Sequence, residues 1–392
     1  VGDLKLDGVD VTLNQVITKA DIDASKLKFT PVRDGSGTGY DSFGFSVNDG
    51  ALDSTSTYTM TVDVTGANDA PTASNSTVTA TEDTDYTFTT ANFSFSDVDG
   101  DGLTYSVVVK DAGDLDATGW LTIDSSTGVI SADPTAGQTG DWTAVITGWD
   151  GEYTVDTTLA IEVEKQFSGM VIDGPLAHAK VFVDVDGDGV WDDGLDGGIS
   201  EDWTMTDATA NFVLNSTQRG DLVVTTDSDT VDVLSGVTVD GLTLKASGDA
   251  SVITPLTTLL FEMEKETSAE AAKLLLQQAT GLVGVDIENF NPTTDGTATQ
   301  QAQYLNAGVQ VVSTLKTLSA AVATTSGATE TDVFAKGLKL LAEKIVSPEG
   351  SNVTLTDTAV VDNLATGLKG FYSATVSDAD LAKVSLAITN VN

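Results

Sequence analysis

The sequence predicts a mainly β fold, tandem β-sandwich modules, followed by an α-helical bundle. Three observations carry this expectation. Short runs of alternating or clustered apolar and β-branched residues fill the first 250 positions, as in 57–64 and 159–163. Gly/Asp/Asn turns separate them, among them Asn48-Asp49-Gly50 and Asp99-Gly100-Asp101-Gly102. Near Thr254 the apolar period then changes from that of strands to that of helices.

Taken in order, residues 1–66 read as the closing half of one β-sandwich and 67–165 as a complete one. Residues 166–250 read as a third β-module, and 251–392 as helices that form their own bundle or one domain with 166–250. Asn68-Asp69-Ala70-Pro71, Glu164-Lys165-Gln166 and Ser247-Gly248-Asp249 punctuate the junctions. Thr254 followed by Pro255 is a strong helix start, since proline at the first helical position loses an N–H that has no partner there anyway. Leu256, Leu259, Leu260 and Met263 then share one helical face. Further starts are expected at Thr267, Thr329 and Ser377, each with an acidic residue three positions on. The longest helix is expected over 298–322, with Ala302, Leu305, Val309 and Val312 on its inner side, and six helices in all are expected up to Asn392.

Composition narrows the function. With 392 residues and 40% hydrophobic content, the chain can build two to four packed cores. No apolar run is long enough to cross a bilayer. No signal-like segment opens the chain, and Val1 reads as a cut within a longer polypeptide. The absence of cysteine leaves burial or bound ions to hold an extracellular fold. The formal net charge of -41 argues against nucleic acid and against insertion into, or attraction to, an anionic membrane. That charge is uneven. Residues 67–250 carry 5 basic and 34 acidic side chains, a density that opposes folding unless cations relieve it.

The aspartates cluster where calcium would use them. Calcium takes six to eight oxygens, and carboxylates at alternate positions of a glycine-permitted curl can converge on one ion. Asp97, Asp99 and Asp101 form one such run, with Glu82 and Asp150 able to join if strands bring them near, and Asn68 and Asp69 on the preceding junction. Asp184, Asp186, Asp188, Asp192 and Asp193 form the second, spaced as in an EF-hand-like loop with Gly189 at its sixth position. Leu195 stands where such a loop has its bidentate glutamate, so Asp193, Asp196 or Glu201 must substitute. No nucleophile elbow, phosphate-cradling glycine loop or histidine pair is present, and the carboxylates lie in Asp-Gly turns, so no enzyme activity is expected. His178, the lone histidine, reads as a packed or surface residue.

The order Asn68-Asp69-Ala70-Pro71, Glu82, Asp97-x-Asp99 and Asp150 resembles cadherin-type repeats, whose junction carboxylates bind calcium. Residues 95–106, 119–124, 127–130 and 149–151 look like a dystroglycan-type bacterial cadherin-like module over about 67–165. Residues 27–31, 40–43 and 47–50 resemble the end of a related repeat, and that likeness aligns Asp49 with Asp150. The second acidic loop, with the turn Thr206-Asp207-Ala208-Thr209-Ala210-Asn211-Phe212, resembles the calcium-binding B-type repeats of large secreted RTX-type bacterial adhesins, although Ala210 stands where their turn has glycine. The stretch 252–260 resembles the entry to the helical region that follows such a sheet. These resemblances imply Ca2+ as the cofactor and an extracellular, cell-surface segment that spaces and presents binding modules. They imply adjacent repeats of the same polypeptide as neighbours. A peptide- or glycan-binding tip in 166–392, or a structural subunit of a surface layer or filament, is the alternative.

Overall fold

The computed structural model describes residues 2–89, 91–111, 119–135, 137–195, 198–347, 355 and 358–372. The chain forms two compact units: Val1–Thr79, Thr84–Pro134 and Asp141–Ile161 make the first, and Ala80–Asp83, Thr135–Gly140 and Glu162–Asn392 the second. The described residues are mainly β, with helices gathered after Thr254.

In the first unit, strand Asp3–Leu6 lies between Val9–Asp10 and Leu27–Thr30, both antiparallel to it. A single-turn helix, α1 (Lys19–Asp23), is capped by Thr18. Strands Gly37–Phe45 and Tyr58–Val64 form a hairpin with an irregular register between Gly37 and Asp41. No described residue of 2–66 is buried. The remainder of the unit differs sharply. Phe88, Val109, Leu121, Ile130, Ala144, Ile146, Leu159 and Ile161 are all buried. They sit at alternate positions of strands that pair antiparallel, such as Thr104–Asp111 with Gly140–Trp149 and Tyr86–Phe88 with Ile130–Ala132. Alternation of this kind puts one side of each strand in the core. Trp120 is buried edge-to-face against Trp142.

The second unit has two adjoining cores. The β core gathers Phe167, Val171, Val181, Val183, Leu222, Val224, Leu244 and Ile253. Around it, Lys180–Asp184 is flanked by Trp203–Met205 and Asp221–Thr225, and Thr243–Ala246 pairs on the far side of Asp221–Thr225. Residues Lys165–Met170 of the long strand Thr154–Val171 pair with Asn211–Ser216, and Met170–Val171 run parallel to Val252–Ile253.

Five helices follow among the described residues: α2 (Pro255–Glu264), α3 (Ala269–Thr280), α4 (Ala298–Ser326), α5 (Glu330–Val346) and α6 (Thr358–Phe371). The start expected at Ser377 lies outside the described residues. Thr254 caps α2 in a reciprocal box with Thr257, with Pro255 at the first turn. Leu256, Leu259, Leu260 and Met263 are buried together, each stabilising the bundle by about 2 kcal/mol. Two expectations need correction. The cap of α3 is Ser268 rather than Thr267, because the Ser268 hydroxyl accepts from the Ala271 amide. The inner face of α4 carries Tyr304, Ala307, Val311, Leu315, Leu318 and Val322; of the expected residues Val312 is buried, whereas Ala302, Leu305 and Val309 are exposed. The Tyr304 hydroxyl fixes this rotation by donating to the Ile287 carbonyl (2.6 Å) beside Thr254 (3.1 Å).

Candidate metal centres

The first acidic run, in the first unit, curls after strand Ser94–Ser96. Asp97 Oδ1 accepts from the Asp99 amide (2.9 Å) and the Asp101 amide (3.3 Å), which turns the chain back on itself. The carboxylates of Asp97, Asp99 and Asp101 thereby come within 4.8 Å of one another. Asp97 Oδ2 is shielded and has no hydrogen-bond partner. The junction joins this curl: the Asp69 amide donates to Asp99 Oδ2 (2.8 Å), and Asn68 Nδ2 donates to Asp150 Oδ2 (3.1 Å). Asp150 is partly desolvated, which raises its pKa, but donation from the Glu152 and Tyr153 amides and from Asn68 outweighs this and holds it low.

Two residues expected near this curl have other roles. Glu82, in the second unit, accepts through Oε1 from the Gly137, Gln138 and Thr139 amides and pairs with Arg219 (2.7 Å). Asp49 accepts from the Ala51 and Leu52 amides in an exposed turn, which lowers its pKa. Neither belongs to an acidic group that converges among the described residues.

The second run follows strand Lys180–Asp184 in the second unit. Asp184 Oδ1 accepts from the Gly187 amide (2.9 Å), Asp186 Oδ1 from the Asp188 amide (3.1 Å) and Asp188 Oδ1 from the Val190 amide (2.6 Å). Gly187 and Gly189 take φ of +81° and +78°, which lets the loop turn left-handed twice. The result is a loop that brings the carboxylates of Asp184, Asp186 and Asp188 together.

Glu201 closes it. Its side chain is buried, with Oε1 accepting from the Val185 amide (2.8 Å) and Oε2 from the Asp192 amide (3.2 Å). Asp184, Asp186 and Asp188 converge within 4.8 Å, and so do Asp186, Asp192 and Glu201. Asp186 belongs to both groups. Burial raises the pKa of Asp192, and repulsion from Asp188, Asp186, Asp193 and Asp184 adds to it. Burial likewise raises that of Glu201, against the pull of the Val185 and Asp192 amides. Asp184 is only 2% exposed, yet its Oδ2 has no hydrogen-bond partner.

Asp193 is not part of either group: its Oδ1 accepts from the Leu195 amide, and its backbone bridges to Ser200. Asp196 lies outside the described residues. Of the two described substitutes for the missing twelfth-position glutamate, Glu201 is the one that reaches the loop, although it lies six positions beyond Leu195. The strand pairing that returns it cannot be read from a fixed loop spacing.

The donor set fits a hard cation. Every convergent side chain offers carboxylate oxygen, and the buried, unpartnered oxygen of Asp184 is the kind of group that a cation would satisfy. Residues 68–164 match the family model of the bacterial Ig domain. That Ig-like module covers the first acidic curl and its junction. No curated protein matches the chain.

Among solved structures, human mucin-like protocadherin EC1-2 is 17% identical, covering 42% of this chain and 78% of its own, with a TM-score of 0.27. Drosophila N-cadherin EC1-4 is 13% identical over 41% of this chain and 46% of its own, with a TM-score of 0.22. A nucleoside hydrolase-related protein from Saccharophagus degradans, associated with carbohydrate metabolism, is 20% identical over 25% of this chain and 26% of its own, at 0.21. The chain spans 17%, 26% and 20% of the solved structures that lead the comparison. Among the described residues no helix is long and apolar enough to cross a membrane.

Proposed function

We propose that this chain is a calcium-stabilised extracellular segment of a bacterial surface adhesin, without enzyme activity, that spaces and presents binding modules. The buried, unpartnered Oδ2 of Asp184 carries this reading. A carboxylate oxygen shut away from water costs free energy unless a cation or a donor meets it; Asp186 and Asp188 converge with Asp184, and Asp186 in turn with Asp192 and Glu201. Asp184, Asp186, Asp188, Asp192 and Glu201 would hold the ion in the second unit, and Asp97, Asp99 and Asp101 another in the first. Ca2+ would supply charge neutralisation and rigidity there, locking each loop. The Ig-like module supports an adhesion-type role outside the cell. Adjacent repeats of the same polypeptide are its expected neighbours, with a surface peptide or glycan as the ligand of the assembly.

Melting the protein in calcium and in EDTA tests this directly. Calcium should raise the melting temperature by at least several degrees, and superimposable curves would sink the proposal. A structural-subunit reading has one observation in its favour: no residue of 2–66 is fully buried, although the strands there are paired. A strand from a second molecule would cover them. Sedimentation of a strict monomer at high concentration counts against that reading.

A further inference from the structure

The second acidic loop has a cationic neighbour that the run of aspartates does not announce. Lys245 lies on strand Thr243–Ala246, opposite Val223 of Asp221–Thr225, and Asp221 in turn faces Asp184. Its backbone is clamped to α2: the Lys245 amide donates to Thr258 Oγ1 (2.9 Å), and its carbonyl accepts from Thr257 Oγ1 (3.0 Å). Its Nζ lies over the Phe261 ring, 5.6 Å from the centroid. The ammonium ends against the loop backbone at Gly189. A Cβ placed on Gly189 would overlap Lys245 Nζ and would stand 4.0 Å from Asp184 Oδ2. Glycine at the sixth loop position therefore does two things: it permits the left-handed turn, and it leaves room for this side chain.

We infer that Lys245 is the loop's built-in countercharge, holding the carboxylates together before a divalent cation arrives and competing with that cation for them. This rests on the reading that the loop binds calcium. The carboxylates of the two groups that share Asp186 repel one another, and an ammonium seated against Gly189 lowers that repulsion. The same positive charge opposes the approach of Ca2+. Lys245 thus sets affinity without contributing a ligand atom. Because its backbone is tied to α2, it also links the loop to the helical bundle.

The test is calcium titration calorimetry on the full chain, with Asp97→Asn and Asp99→Asn introduced to silence the first curl. Lys245→Met retains the aliphatic stem and removes the charge, Lys245→Gln provides a second neutral variant, and Lys245→Arg keeps the charge. Both neutral variants should bind Ca2+ at least roughly tenfold more tightly at low ionic strength, with the gap narrowing as salt is added. They should also melt earlier in EDTA, while Lys245→Arg stays near the parent. A merely structural lysine would weaken or leave unchanged calcium binding when lost, and either result in both neutral variants overturns the inference. If the parent itself takes up no calcium, the reading of the loop fails and the inference falls with it. The two failures are therefore told apart by the parent titration.

Discussion

At the residue scale, two backbone and side-chain details make separate predictions. Ala210 is fully buried at φ +67°, a conformation that costs a non-glycine residue roughly 1 kcal/mol. The turn needs it: Asp207 Oδ1 accepts from the Thr209 and Asn211 amides, and the Ala210 amide donates to the Asp207 carbonyl. Ala210→Gly relieves that strain at the loss of one buried methyl, so thermal denaturation should show a small gain in stability, up to about 1 kcal/mol. In the acidic loop, Glu201→Gln and Asp184→Asn should each weaken calcium binding by at least about tenfold, since each removes a converging charge. Asp193→Asn should leave affinity within about twofold, because its carboxylate serves the Leu195 amide instead. Calorimetric titration of the three variants separates these outcomes, and equal losses in all three would mean that the loop is only a diffuse acidic field.

At the element scale, the contact between the β core and the bundle depends on a few buried polar groups. Tyr304 of α4 donates to the Ile287 carbonyl and meets Thr254, the cap of α2, so one hydroxyl orients two helices. Its burial pushes the phenol pKa far up, which keeps it a neutral donor at any physiological pH. Tyr304→Phe should cost about 1–3 kcal/mol in denaturant unfolding, because the Ile287 carbonyl is left without that partner. A change below about 0.5 kcal/mol would mean that water replaces the hydroxyl without penalty. Glu288 plays a similar part: it pairs with Lys273 and accepts from Ser247, while its backbone carbonyl receives the Ser251 and Val252 amides.

At the scale of the whole molecule, the surplus negative charge gives stability a pH dependence of definite sign. Burial raises the pKa of Asp173, with the Lys316 charge opposing and Asp232 adding, and burial together with Glu288 raises that of Glu264. Groups raised in the folded state bind more protons there than in the unfolded chain at pH values just above the ordinary carboxylate pKa of about 4. Stability in EDTA should therefore increase as the pH falls from 7 towards 5. Asp207 and Asp249 act oppositely, their pKa lowered by Thr209 and by Lys165 respectively, but their contribution is lost only as the pH falls through and below that ordinary value. Melting in EDTA at pH 7 and pH 5 checks the sign. A lower melting temperature at pH 5 would show that the lowered carboxylates dominate.

Much of this organisation is legible in the amino-acid order alone. Alternating strands, the change of period at Thr254, the capped start of α2 and both aspartate runs are local features, each set by spacings of a few residues. Tertiary structure decided the rest. It turned α4 onto Tyr304 rather than Leu305, committed Glu82 to Arg219 and left Asp49 in its own turn. It also brought Glu201, just ahead of strand Trp203–Met205, and Lys245, from strand Thr243–Ala246, to the acidic loop, which the spacing of aspartates does not encode. Sequence fixes which groups a turn can offer, but which distant groups meet them depends on strand pairing and helix rotation, which are settled by packing the whole core.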